Sequence, residues 1–252
     1  MMLCFLVLGN QYCFLFNRGD FFTMTNYDIK KVLIDKGVTQ LYHANTVSTA
    51  CTFIENNGLI SRGAVRDLGL YQTEQKSDKI DQVFDVYYDI FFDSVDIHQR
   101  TQRINFYGPV LFVYSIDLLD TLESENIRIT RSNPQYWNMD MSDEDKYFSN
   151  IDQLRCFYSY GNFGQHLTIR HQITPLSFEF LDKIILDNPK FEDNVLFDRA
   201  YKYLEYLLKK NDYDIPFEVR ECSSLCKCHT IYDESWDNEK KFGIKNWREV
   251  NL

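Results

Sequence analysis

Leu41-Tyr42-His43-Ala44-Asn45-Thr46, then Asn57-Gly58-Leu59-Ile60-Ser61, is the stretch on which the fold reading turns. Residues 39–43 have the composition of a short strand. Thr46 or Ser48 can cap a following helix, whose Val47, Ala50, Cys51 and Ile54 recur at the spacing of one buried helical face. Asn57-Gly58 stops that helix. A histidine thus sits at a strand end, beside small polar residues and a helix N-terminus, where an imidazole can meet a ribose or a phosphate. From there the pattern extends both ways. Upstream, residues 25–36 read as a helix capped by Thr25 or Asn26 and stopped by Gly37. Downstream, residues 59–67 form a short helix or turn, 68–85 a polar loop, and 86–92 (VYYDIFF) and 109–116 (PVLFVYSI) strands, the latter fully buried.

Residues 127–130 and 165–171 (QHLTIRH) add strand candidates, 145–160 is helical in part, and 193–210 is the best helix, with Asp193 as cap. Short strands and short helices in mixed order make this an α+β chain. Its 252 residues suit one large domain with appendages: an N-terminal extension over 1–23, a main domain over 24–211 and a C-terminal appendage over 212–252. With 20 Phe, 17 Tyr and 3 Trp the chain can fill a core, which excludes global disorder. A net charge of −10 excludes general coating of nucleic-acid phosphate or of an anionic membrane, leaving only a local basic patch for such contacts. The apolar opening, residues 1–16, is broken by Gly9, Asn10 and Gln11 and is shorter than the ~20 residues a spanning helix needs. No basic residue precedes it, so it reads as an extension, with Met24 a candidate natural start. Seven cysteines, four of them scattered, point to a reducing cytoplasmic setting rather than a secreted disulfide framework.

The order of segments resembles a known family. L-Y-H-A-N-T, a helix, N-G-L-I-S, the strand VYYDIFF, then YGPVLFVYSI and GQHLTIRHQITPLSFEFL are similar in order to the ADP-ribosyltransferase fold, and among its members to the DarT-type DNA ADP-ribosyltransferases. The likeness covers about residues 39–187. It implies an ADP-ribosyltransferase-like split β-sheet with flanking short helices, and NAD as substrate in the cleft of that sheet. His43 then matches the histidine that hydrogen-bonds an NAD ribose, and Ala44, Asn45 and Thr46 the loop that contacts the dinucleotide. Arg62 takes the pyrophosphate role, and Tyr87 or Tyr88 stacks on nicotinamide. The late strand departs from the family pattern: where a catalytic glutamate is expected, Gln165 or His166 stands. Neither supplies a fixed negative charge, whose loss costs on the order of a hundred- to a thousandfold in rate. The implied activity is transfer of ADP-ribose to DNA, RNA or a protein side chain, as a toxin or phage-defence protein. The alternative is a non-catalytic nucleotide-binding or protein-interaction module of the same fold.

Two more clusters carry possible chemistry. Asp93, Asp96, His98, Arg100 and Arg103 lie close in sequence and could place a carboxylate and basic groups near a substrate, while Arg100 and Arg103 with Arg62 and Arg66 could form an anion site; a solvated charged loop is the plainer expectation. Cys222, Cys226, Cys228 and His229 could hold zinc, but their spacing is tighter than in ordinary zinc ribbons. Reduced cysteines in a tail turn, with no metal, are expected. Walker, dinucleotide G-x-G-x-x-G, H-E-x-x-H and G-x-S-x-G motifs are absent, which weakens the NTPase, dehydrogenase, zinc-protease and serine-hydrolase readings.

Overall fold

The computed structural model describes residues 24–190, 195–223, 225–228 and 238–245, with the backbone of two short strands before them. Those two, β1 (Phe5–Leu8) and β2 (Gln11–Phe14), pair antiparallel as a hairpin. Helix α1 (Asn26–Asp35) begins at Thr25, whose side chain accepts from the Asp28 amide, and stops before Gly37, which adopts φ +94°. Strand β3 (Gln40–Asn45) runs straight into α2 (Val47–Glu55), capped by Thr46. Then follow β4 (Gly58–Leu59), α3 (Arg62–Asp67), α4 (Asp78–Val83), β5 (Ile90–Phe92), α5 (Ile97–Thr101), β6 (Val110–Ser115) and β7 (Ile127–Ile129). The second half holds α6 (Asp143–Lys146), α7 (Ile151–Phe157), β8 (Leu167–Ile169), β9 (Leu176–Ser177), β10 (Leu181–Asn188), α8 (Val195–Lys210), β11 (Phe217–Glu221) and α9 (Asn238–Phe242).

The fold is α+β, and its sheet is split. A four-stranded sheet has the order β11-β10-β6-β3 and a three-stranded one the order β5-β8-β7. All pairs are antiparallel except β10 with β11. Between the two sheets runs one isolated bridge, Tyr42 with Asp93, closed by Tyr42 N–H to Asp93 O at 3.0 Å and Asp93 N–H to Tyr42 O at 2.9 Å. Past this bridge the halves part. β6 reads as a continuous apolar run because both of its faces are covered: Val110, Phe112 and Tyr114 enter the main core, while Leu111 and Val113 pack with Ala44 and Ile185 on the other side. α2 is buried almost all round, and Ala200, Leu204, Leu207 and Leu208 of α8 join the same core.

Three expectations change. The strand expected over 86–92 is only Ile90–Phe92, because residues 86–89 turn back over α3, where Gly63 N–H donates to Tyr87 O at 2.8 Å. The loop expected over 68–85 contains α4, which buries none of its residues and so leaves no apolar period in the sequence. β11 pairs in parallel with β10, so the stretch beyond residue 211 opens with an edge strand of the main sheet. Asp193, the expected cap of α8, lies outside the described residues. No helix among the described residues is long and apolar enough to cross a membrane.

Candidate functional site

A cleft opens where the half-sheets separate. It is lined from β3, α3, the 72–81 segment, β5, the 133–135 turn and His166 just before β8. His43, Ala44, Asn45, Arg62, Tyr87 and His166 all line it, although they come from distant parts of the chain. Thr46, Tyr88 and Gln165 do not.

His43 is held from three sides. Its ring lies 6.0 Å from that of Phe53 on α2 and 5.9 Å from that of Phe92 on β5. Its Nδ1 is 2.9 Å from the Phe91 carbonyl, an oxygen that can only accept, so Nδ1 carries the proton. Burial lowers the imidazole pKa below its ordinary value, with Phe91 opposing. The ring is therefore neutral, and Nε2 is an acceptor. That Nε2 is shielded from solvent and has no hydrogen-bond partner among the described residues.

Arg62 shows the complementary arrangement. Asp78 grips it through Nε and, at 2.7 Å, through Nη2, which also donates to the Thr73 carbonyl at 3.0 Å. Nη1 is left buried and without a partner among the described residues. A buried donor and a buried acceptor, both unsatisfied and both on one cleft, are costly unless a ligand completes them.

Of the two candidate tyrosines, Tyr87 is buried in the cleft wall with the Arg66 guanidinium over its ring, 5.2 Å from guanidinium carbon to ring centre. Tyr88 is turned to the outside, donating to Asp67 at 2.6 Å and accepting from Arg66 at 2.8 Å. Strand alternation, which separates neighbours to opposite faces, does not act here; the 86–89 turn makes the choice.

The late-strand pair separates likewise. Gln165 spends both ends of its amide on the turn after α7: Oε1 accepts from Ser159 N–H at 2.7 Å and Nε2 donates to the Phe157 carbonyl at 3.1 Å. His166 reaches the cleft. Its Nδ1 lies 3.1 Å from Asp93 Oδ1, and its Nε2 is 3.3 Å from the Asn133 amide nitrogen. Asn133 can only donate from that nitrogen, so Nδ1–H points at Asp93. The cleft thus contains carboxylates after all, Asp81, Asp89 and Asp93. Burial raises the Asp81 pKa to about 6. Burial also raises that of Asp89 to about 6, against an ion pair with Arg170 whose nearest atoms are 2.8 Å apart. Tyr107 closes the cleft from the loop before β6, its phenol pushed up to about 12 by burial. That loop crosses directly over the end of β3: a Cβ on Gly108 would lie 2.2 Å from the Asn45 carbonyl oxygen, and Gly108 adopts φ +152°.

The anion site considered for the other arginines does not assemble. Arg66 pairs with Asp67, Arg100 donates to the Gly161 carbonyl at 2.6 Å, and Arg103 lies over Phe106. Asp96 and His98 are buried instead of lying on a solvated loop. Cys222, Cys226 and Cys228 are buried too, and the group that meets them is His98; His229 lies outside the described residues. No sequence spacing joins His98 to these cysteines, nor Asp93 to His166.

No protein-family model matches the chain, and no curated protein matches it. Among solved structures it is similar to DarT of Thermus sp. 2.9. The complex of that protein with ADP-ribosylated ssDNA superposes with a TM-score of 0.45 at 9% identity, over 73% of this chain and 94% of that one. Its complex with NAD+ gives 0.44 at 9% identity, over 73% and 96%. Its complex with carba-NAD+ gives 0.42 at 9% identity, over 73% and 95%.

Proposed function

We propose that the cleft binds NAD and that the chain is an NAD-dependent ADP-ribosyltransferase acting on a nucleic-acid or protein acceptor. The observation that carries this is the pair of unsatisfied buried groups on one cleft, the His43 Nε2 acceptor and the Arg62 Nη1 donor. A dinucleotide offers what each lacks, a ribose hydroxyl to donate and a pyrophosphate oxygen to accept. Tyr87 supplies an aromatic face for nicotinamide. The mechanism follows from charge. As the bond between nicotinamide and ribose breaks, its electron pair leaves with nicotinamide and positive charge builds on the sugar. A fixed carboxylate stabilises that state more than the ground state. With Gln165 committed to the turn after α7, we assign this role to Asp93, oriented by His166 and by its own backbone bridge to Tyr42. An acceptor nucleophile then bonds to the ribose carbon and loses its proton.

One feature favours the non-catalytic alternative: among the described residues no glutamate lines the cleft. The experiment incubates purified protein with NAD labelled in the nicotinamide ring, and in parallel with NAD labelled in the adenylate, plus single-stranded DNA, RNA or lysate protein. Released nicotinamide and a labelled acceptor are expected, falling about a hundred- to a thousandfold in Asp93→Asn. Calorimetric NAD binding without release would favour the binding module. Neither binding nor release refutes both.

A further inference from the structure

We infer that His98, Cys222, Cys226 and Cys228 form a closed zinc site that fastens the C-terminal stretch to the body of the fold. This rests on residues away from the NAD cleft and stands whether or not the cleft is catalytic.

The donor atoms converge. His98 Nε2 lies 3.2 Å from the sulfurs of Cys226 and Cys228 and 3.6 Å from that of Cys222, and all four donor atoms fall within 4.8 Å of one another. With zinc–sulfur bonds of ~2.3 Å and a zinc–nitrogen bond of ~2.05 Å in a tetrahedron, nitrogen and sulfur stand about 3.6 Å apart and two sulfurs about 3.8 Å. The cluster is thus close to the size of a coordination shell: the nitrogen–sulfur distances lie within about 0.4 Å of the ideal, and no donor pair is more than about 1 Å too far apart. All four residues are buried, and the three thiols are free of disulfides. Three thiols and an imidazole aimed at one point inside a protein need a reason, since sulfur gains little from such company by hydrogen bonding.

The surroundings are those of a metal-bound imidazole. His98 Nδ1 faces Asp187 Oδ2 on β10, so the proton resides on Nδ1 and Nε2 presents its lone pair to the sulfurs. Asp187 is itself held by Arg220 of β11 through Nε at 2.6 Å, and Arg220 reaches on to Asp96, which caps the helix that carries His98. The chain of contacts His98–Asp187–Arg220–Asp96 returns to its own helix and fixes the ring's orientation. Backbone contacts hold the cysteine turn in register: Cys222 N–H donates to Asn188 O at 3.1 Å, Cys226 N–H to Ser223 O at 2.9 Å and Lys227 N–H to Gln102 O at 3.0 Å. Four protein donors leave no open position, which marks a structural and not a catalytic ion. On binding, Zn²⁺ takes the electron pairs of three sulfurs and one nitrogen, and the three thiol protons pass to solvent. The ion would clamp the end of β11 to α5, the segment that follows Asp93.

The test uses the full chain, purified without chelator. Elemental analysis should find about one zinc per chain, and replacement by Co²⁺ should give the visible d–d bands of tetrahedral cobalt with sulfur-to-metal charge transfer. His98→Ala and Cys226→Ser should lose the ion, and His229→Ala should keep it. Because the first two variants can fail to fold, the wild-type protein is also alkylated with and without chelator and mapped by mass spectrometry. Cys222, Cys226 and Cys228 should be protected only in the zinc-loaded protein. Wild-type protein without stoichiometric zinc, another metal in its place, or equal alkylation in both states overturns the site. Loss of zinc in His229→Ala with retention in His98→Ala overturns the ligand set.

Discussion

Replacing His43 by Phe separates the packing of this ring from its chemistry. Phenylalanine keeps an aromatic ring, one atom larger than imidazole, between Phe53 and Phe92, whose centroids lie 6.0 and 5.9 Å away, and deletes both nitrogens. Two losses follow. The Phe91 carbonyl loses its Nδ1–H donor at 2.9 Å, a cost of about 1–2 kcal/mol, or roughly 2–8 °C in Tm for a chain of this size. In the complex, a ribose hydroxyl loses its acceptor in a desolvated cleft. That costs about 1–3 kcal/mol, which at 1.4 kcal/mol per decade weakens NAD binding roughly 5- to 150-fold. Titration calorimetry with NAD, beside thermal denaturation, measures both. The wild-type affinity should also be level from neutral pH upward, because burial depresses the imidazole pKa and keeps Nε2 an acceptor there. It should weaken on the acid side of that lowered pKa, where Nε2 becomes a donor. An unchanged affinity in His43→Phe, with only the Tm lowered, would refute the ribose contact and leave His43 a packing residue.

Other outcomes can be checked in the same way. Tyr87→Leu should weaken NAD binding roughly 2- to 12-fold, an aromatic stacking contact being worth ~0.5–1.5 kcal/mol beyond area, whereas Tyr88→Leu should leave it unchanged; calorimetry on the two variants decides. Gln165→Ala removes both amide contacts to the turn after α7 and should lower stability by about 1–3 kcal/mol in denaturant titration without altering NAD affinity. A tenfold loss of affinity there would return Gln165 to the site. Gly108→Ala forces a Cβ onto the Asn45 carbonyl and should cost more than ~2 kcal/mol in the same assay; a change within 0.5 kcal/mol, roughly the scatter of surface substitutions, contradicts the close crossing. Asp89 has a folded pKa raised to about 6, so the native state holds its proton longer than the unfolded chain, and stability falls as pH rises from the unfolded pKa through 6. Between pH 4 and pH 7, Asp89→Asn should therefore gain on the wild type by about 2 kcal/mol, read from parallel unfolding curves; a constant difference disproves the shift.

The local features were legible because they are written within a few residues. Thr25, Thr46 and Gly37 mark helix ends through their own side chains or lack of one, and the run at 110–115 is apolar because β6 is covered on both faces. His43 could be singled out for the same reason, since strand, histidine and helix N-terminus are consecutive. α4 left no such mark, because a helix with no fully buried residue carries no apolar rhythm. The choice between Tyr87 and Tyr88 left none either, because a turn and not a strand sets their directions.

Contacts across long separations are a different matter. His166 meets Asp93, His98 meets Cys226 at 128 positions' remove, and Arg62 Nη1 lies unpaired because Asp78 occupies the other nitrogens. The sequence alone determined which residues could form strands, caps and an imidazole-bearing strand end, since those depend on backbone sterics and local hydrogen bonding. Which carboxylate enters the cleft, and which histidine joins the cysteines, was decided by the pairing of β3, β5, β8, β10 and β11. Side-chain convergence is a property of the packed sheets and has no signature in the spacing of the chain.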